Sequence, residues 1–282
     1  MTIARLISSL FAMASAPAML AADAPAARSV IPMALLGGKQ FTVEAEVGGK
    51  RRTFLFDTGE GTTMIGPDVA RDIGCRPWGN VVAFRMLGER LDTPRCDDVA
   101  FSMAGRAYRA SSTIVYDLEE IAQDGGHLAG AVGLDLFDGK TVTLHFASRR
   151  IVVEDAAGRA ARIRDGREVP IRLARFNEGG IDVNIGVRTA RGMAWMELDS
   201  ANAGPTIFVA PAYAADFGLR ADTKDAQPTR AEIAPGVVHA GKARVFPGMI
   251  IDGNIGMQFL GEWDLTLDLK SGRGWVQPAV RS

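Results

Sequence analysis

Two stretches of this chain of 282 residues repeat the same order of elements, and that duplication constrains the fold more than any other feature. The first stretch, Phe41 to Gly74, begins with an alternating strand and a turn. An apolar run, Phe54-Leu55-Phe56, then leads into Asp57-Thr58-Gly59. The second, Ile181 to Gly218, does the same and carries Met196-Glu197-Leu198 into Asp199-Ser200-Ala201. Each continues through an apolar pair (Met64-Ile65; Ile207-Phe208), a proline (Pro67; Pro211) and a short helical pattern closed by glycine (Gly74; Gly218). Proline near a helix start and glycine past its end are ordinary helix punctuation. The ends of the two halves match without a gap at an offset of 123. Gly130 to Phe137 leads into Thr141 to Phe146, as Gly253 to Leu260 leads into Asp264 to Leu269. Repetition at both the aspartate and the glycine segments predicts two similar lobes. Thirty-two glycines among short apolar runs make them strand-and-turn lobes, so the fold class is mostly β.

Composition narrows the function classes. The chain is 47% apolar and 23% charged, with a net charge of -1, as expected for a globular chain. It has no lysine- and arginine-rich block interleaved with aromatics, so no nucleic-acid partner is expected. The histidines His127, His145 and His239 are scattered, and no CxxC or HExxH spacing is present, so neither a metal nor another cofactor is expected. The GxSxG turn of many serine hydrolases is absent. Residues 1–24 read as a secretory signal: Arg5, then the diluted apolar run Leu6 to Leu20, then small residues. That run is too short and too rich in alanine and serine to span a membrane well. The protein left after cleavage is expected to be periplasmic or secreted. Cys75 and Cys96 fit an oxidising compartment, either as a bridge closing a loop worth about 3 kcal/mol or as two buried thiols.

Asp57 and Asp199, one per half, supply two carboxylates. Two that face each other cannot both ionise cheaply, so they share a proton and divide the roles of general base and general acid. With its Asp-hydroxyl-glycine turn, the following Thr62-Thr63-Met64-Ile65, and the apolar-apolar-glycine segments Ala131-Val132-Gly133 and Asn254-Ile255-Gly256, the chain resembles the pepsin and retropepsin superfamily. It looks like a duplicated bacterial member. The resemblance implies two β-barrel lobes with a cleft between them, residues 38–153 and 172–278, joined by a polar linker over 154–171. It implies an aspartic endopeptidase that hydrolyses peptide or protein substrates with water activated between Asp57 and Asp199. Thr58 and Ser200 match the hydroxyls that bond across to the opposite loop. Gly59 matches the glycine whose backbone approaches the carboxylate. Gly133 and Gly256 match the glycines crossing beneath the aspartate loops.

The longer first half holds a hairpin, Val81 to Leu91, turning at Leu87-Gly88. The resemblance makes it a flap over substrate, presenting Val82, Phe84, Met86, Leu87 and Gly88. Cys75 and Cys96 bracket it and are expected to anchor its base. Lobe 2 is too short for a flap of its own. Three departures from the family pattern stand out: Ala201 in place of the second glycine, two extra residues after Asp199, and a third acid at Glu60. They leave three readings open. One is a monomeric two-lobed peptidase, the favoured state. Another is a homodimer that pairs Asp57 of each chain. The last is a degenerate member that binds peptides or envelope components.

Overall fold

In each half, strands of alternating burial wrap around the apolar run that carries the aspartate. The computed structural model describes residues 27–118, 127–176 and 178–280, so the signal segment expected at 1–24 lies outside the described residues. The chain forms a mostly β structure of two lobes sharing a six-stranded antiparallel sheet. Its order is Arg167–Val169, Arg273–Pro278, Trp263–Asp268, Thr141–His145, Arg150–Val153 and the start of Ser29–Leu36. The register at its centre records the duplication. Thr266 pairs with Thr143, and Leu265 with Leu144. Thr143 and Thr266 are equivalent residues at the sequence offset of 123, and their hydroxyls meet at 3.0 Å, so an approximate twofold axis passes between them.

The repeat begins earlier than the sequence match suggests. Ser29–Leu36 pairs first with Arg150–Val153 and then with Gln40–Val47. In lobe 2, Arg167–Val169 pairs with Arg273–Pro278 and Ile171–Phe176 with Gly180–Thr189. Pro32 and Pro170 stand at the two points where the chain leaves the shared sheet for its own lobe. A residue without an N–H suits a strand that changes partners. Residues 154–171, read as a linker, therefore hold a strand of lobe 2. They also hold a helix, Ala156–Asp165, whose N-cap Asp155 accepts a hydrogen bond from the Gly158 N–H at 2.7 Å. Arg159 of this helix pairs with Asp268, and Arg162 with buried Glu154 and with Gln277.

The lobe 1 aspartate strand ends in Phe54-Leu55-Phe56, buried on both faces and so an unbroken apolar run, whereas the lobe 2 strand alternates buried Ala194, Met196 and Leu198 with half-buried Trp195 and Glu197. Lys50–Phe56 lies parallel to Gly130–Val132, and Gly192–Leu198 parallel to Gly253–Ile255. Ala131 also faces Met64, and Asn254 faces Phe208. Met64-Ile65 is thus equivalent to Phe208-Val209, one residue beyond the Ile207-Phe208 pair suggested by apolar matching. The longer lobe 2 loop shifts the register.

The flap hairpin joins Trp78–Phe84 to the first part of Arg90–Met103. A second hairpin follows through Ala104 and Gly105, both in the left-handed region, as a tight primed turn requires. Lobe 2 has a counterpart of the second hairpin, Gln227–Ala234 with Val237–Val245, and among the described residues none of the flap. The Cys75–Cys96 disulfide forms with Cα atoms 6.2 Å apart. It ties the end of helix Pro67–Asp72 to the flap's returning strand, and Cys96 is fully buried.

Candidate active site

The apolar strands deliver Asp57 and Asp199 to loops that face each other across the twofold axis. Each aspartate N–H is held by its neighbouring parallel strand: Asp57 by the Val132 carbonyl and Asp199 by the Ile255 carbonyl, both at 3.1 Å. Each loop then bonds into the other. The Thr58 hydroxyl donates to the Leu198 carbonyl at 2.8 Å and accepts from the Ser200 N–H at 2.9 Å. The Ser200 hydroxyl donates to the Phe56 carbonyl at 3.1 Å and accepts from the Thr58 N–H at 3.0 Å. Both side chains are buried, so these four bonds replace solvation that the loops lose on burial.

The glycines sit where backbone approaches backbone or carboxylate. A Cβ on Gly59 would stand 3.1 Å from the carboxyl carbon of Asp199. A Cβ on Gly133 would meet the Glu60 carbonyl at 2.2 Å, and one on Gly256 the Asn202 carbonyl at 2.3 Å. Glu60 and Asn202 each lie three residues after their aspartate, so the two glycines support the loops at equivalent points.

Asp57 and Asp199 are close enough to interact directly, and Asp57 is pushed up to about 8. Burial is the largest cause, followed by the charge on Asp199; hydrogen bonds from the Gly59 and Ala201 N–H groups pull the other way. Ala201 thus keeps the one function its position needs, a backbone donor. The two extra lobe 2 residues let the Asn202 N–H, instead of the one after Ser200, reach Asp199 Oδ1 at 3.0 Å.

Other carboxyls surround the pair. Burial first, and then Asp57, drive Glu60 well above the ordinary range. Burial, and then Asp199, push Glu197 up to about 8. Burial raises Asp135 to about 6 against hydrogen bonds from Thr63, and raises Asp182 to about 6. Glu60 was legible as a third acid; Glu197, Asp182, Asn202 and Asn254 were missed. The repeat held a signal for two of them: the equivalents of Leu55 and Ala131 in lobe 2 are Glu197 and Asn254. Polar residues at twin positions of buried apolar ones mark a place where the lobes differ in chemistry.

The flap tip reaches lobe 2. The Met86 carbonyl accepts from the Ile250 N–H at 3.0 Å, and Gly88 lies against the Ile250 side chain. Leu87 is exposed at the tip. Val81 is buried with Leu55, Met64 and Ile114, beside the Asp57 strand. Val82 and Phe84 are 40% and 58% exposed, and strand alternation puts them on the face opposite Val81. Val82 and Phe84, expected to meet substrate, therefore stand on the exposed face of the hairpin, opposite the buried face that carries Val81. A cavity of about 380 Å³ opens between the turn at Leu36 to Gln40 and the loop at Ala201 to Pro205 that follows Ser200.

Residues 43–136 match the family described as aspartyl protease. The match covers lobe 1 from its second strand to just past Gly133, and includes Asp57. A search of the curated proteins finds no significant match. Among solved structures, the chain is similar to basic 7S globulin from soybean, with a TM-score of 0.56 at 11% identity, over 92% of this chain and 98% of that one. It is also similar to conglutin gamma, a basic 7S globulin from lupine seeds, with a TM-score of 0.55 at 9% identity, over 92% and 96%. Such identities carry the fold alone, and neither protein is named as a peptidase. Fold, family match and duplicated motif together place the chain in the pepsin and retropepsin superfamily.

Proposed function

We propose that this protein is an exported aspartic endopeptidase working as a single two-lobed chain. The observation that carries this reading is the reciprocal bonding of Thr58 and Ser200, which holds Asp57 and Asp199 together at one point. A rigid carboxyl pair with one raised member is what general acid–base hydrolysis requires. Asp57 holds the proton and donates it to the scissile carbonyl oxygen. Asp199 accepts a proton from water as its oxygen attacks the carbonyl carbon. The tetrahedral intermediate collapses as the C–N bond breaks: Asp199 returns its proton to the departing amine, and Asp57 regains one from a hydroxyl of the diol as the new carboxyl group forms. No covalent enzyme intermediate forms. The flap covers the extended substrate and excludes water from the developing charges. Export to a periplasmic or extracellular compartment is supported by the signal-like segment and by the disulfide.

The test is cleavage of a peptide library by the purified chain lacking residues 1–24, from acidic to neutral pH, with products read by mass spectrometry. The expected result is a defined set of products that vanishes in Asp57→Asn. Identical profiles for the wild type and Asp57→Asn would refute the reading. A second reading, a peptide-binding protein without turnover, draws on the flap tip bonded to Ile250 over the cleft. Peptide retention without cleavage would favour it.

A further inference from the structure

The pair is built by a duplication, yet its two members are not equivalently supported. Asp199 is contacted by Asn254, a fully buried residue on Gly253–Ile255. Its side-chain nitrogen donates to Asp199 Oδ2 at 2.7 Å and to Glu197 Oε2 at 3.1 Å. Its side-chain oxygen accepts from the Asn202 amide at 2.8 Å. That last bond fixes which way the amide faces, because a flipped Asn254 would set its oxygen against two carboxyls and its nitrogen against a donor. The lobe 1 equivalent is Ala131, paired with Leu55 beside Asp57 as Asn254 is paired with Glu197 beside Asp199. A methyl group offers Asp57 nothing.

We propose that Asn254 is a positioning residue that breaks the symmetry of the pair, its amide holding Asp199 as the charged member and leaving the shared proton on Asp57. The proposal rests on the peptidase reading and adds how that site divides its roles. The titratable groups acting on the pair from the surrounding elements are themselves acids. Glu197 on the Asp199 strand and Glu60 on the lobe 1 loop interact with the pair directly, and behind them Asp182 on Gly180–Thr189 acts on both glutamates and Asp135 beyond Gly133 on Glu60. Each disfavours a negative charge at the centre. An amide donor favours the charged form of its partner, and of the two aspartates Asn254 serves only Asp199.

The experiment is a carboxyl-carbon NMR titration of Asp199 in the full chain, comparing the wild type with Asn254→Ala, the residue lobe 1 carries. Removing a hydrogen bond to a charged group is expected to raise the Asp199 midpoint by about one pH unit or more. The acid limb of kcat/KM moves up in step, since protonating the base ends activity. Asn254→Asp keeps the shape and places another carboxyl there, so the Asp199 midpoint rises in it as well; this variant carries the test should Asn254→Ala not fold. A midpoint unmoved in the folded variant would overturn the proposal, even with cleavage retained. A raised midpoint in a protein that cleaves nothing would uphold the role of Asn254 and refute the peptidase reading alone.

Discussion

Asp199→Asn is expected to lose turnover as completely as Asp57→Asn, each by a factor on the order of 10³ or more, near the upper range for removing a positioned acid or base. The substitution keeps the side chain's shape, so folding should survive while the shared proton is lost. The two variants fail for different reasons. In Asp199→Asn the one remaining carboxyl, Asp57, cannot be base for water and acid for the carbonyl oxygen at once, whereas in Asp57→Asn the amide holds no acidic proton for the carbonyl oxygen. Equal loss distinguishes a single-chain pair from a homodimer, in which only Asp57 would matter. Single-turnover cleavage of a peptide taken from the library products measures both. Retained turnover in Asp199→Asn, with Asp57→Asn dead, would shift the account to the dimer.

The second large effect concerns the crossed hydroxyls. Thr58→Val keeps the side chain's shape but removes a donor to the Leu198 carbonyl and the acceptor of the Ser200 N–H. Both partners are buried, and unmade buried hydrogen bonds cost about 1–3 kcal/mol each, so the variant should be less stable by about 2–4 kcal/mol. Chemical denaturation is the check. The interlobe bonds are also what fix the aspartates, so turnover should fall in conditions where the variant is still folded. Ser200→Ala should weaken the same contact from the other side, and the double variant should lose less than the sum, because each hydroxyl bonds the other residue's N–H in one interlobe network. Additive losses would mean that the two hydroxyls act independently.

Much of this site was legible in the chain. Asp57, Asp199, the two hydroxyls, Gly59, Gly133 and Gly256 each carry a local reason that survives without a structure: an apolar strand end, a cross-loop bond, a close approach. The cysteines and the flap turn were legible for the same reason. The first strand of each lobe was not, since Ser29–Leu36 and residues 167–176 share little beyond Pro32 and Pro170. A strand shared between two sheets has no single alternation to read. Apolarity does not choose a face of the flap hairpin, and period-two geometry sets Val82 and Phe84 opposite buried Val81. Asn254 and Glu197 were hidden by the strength of the repeat itself. What the halves share is the frame of the site, and the division of labour lies in what they do not share.

The central claim is that one chain holds one complete carboxyl pair. Calorimetric titration with a non-cleavable peptide bearing a hydroxyl in place of the scissile carbonyl, a mimic of the tetrahedral intermediate, tests it most directly. The account expects one ligand bound per chain, with binding strongly weakened in both Asp57→Asn and Asp199→Asn. One ligand per two chains, or undiminished binding to Asp199→Asn, would contradict it.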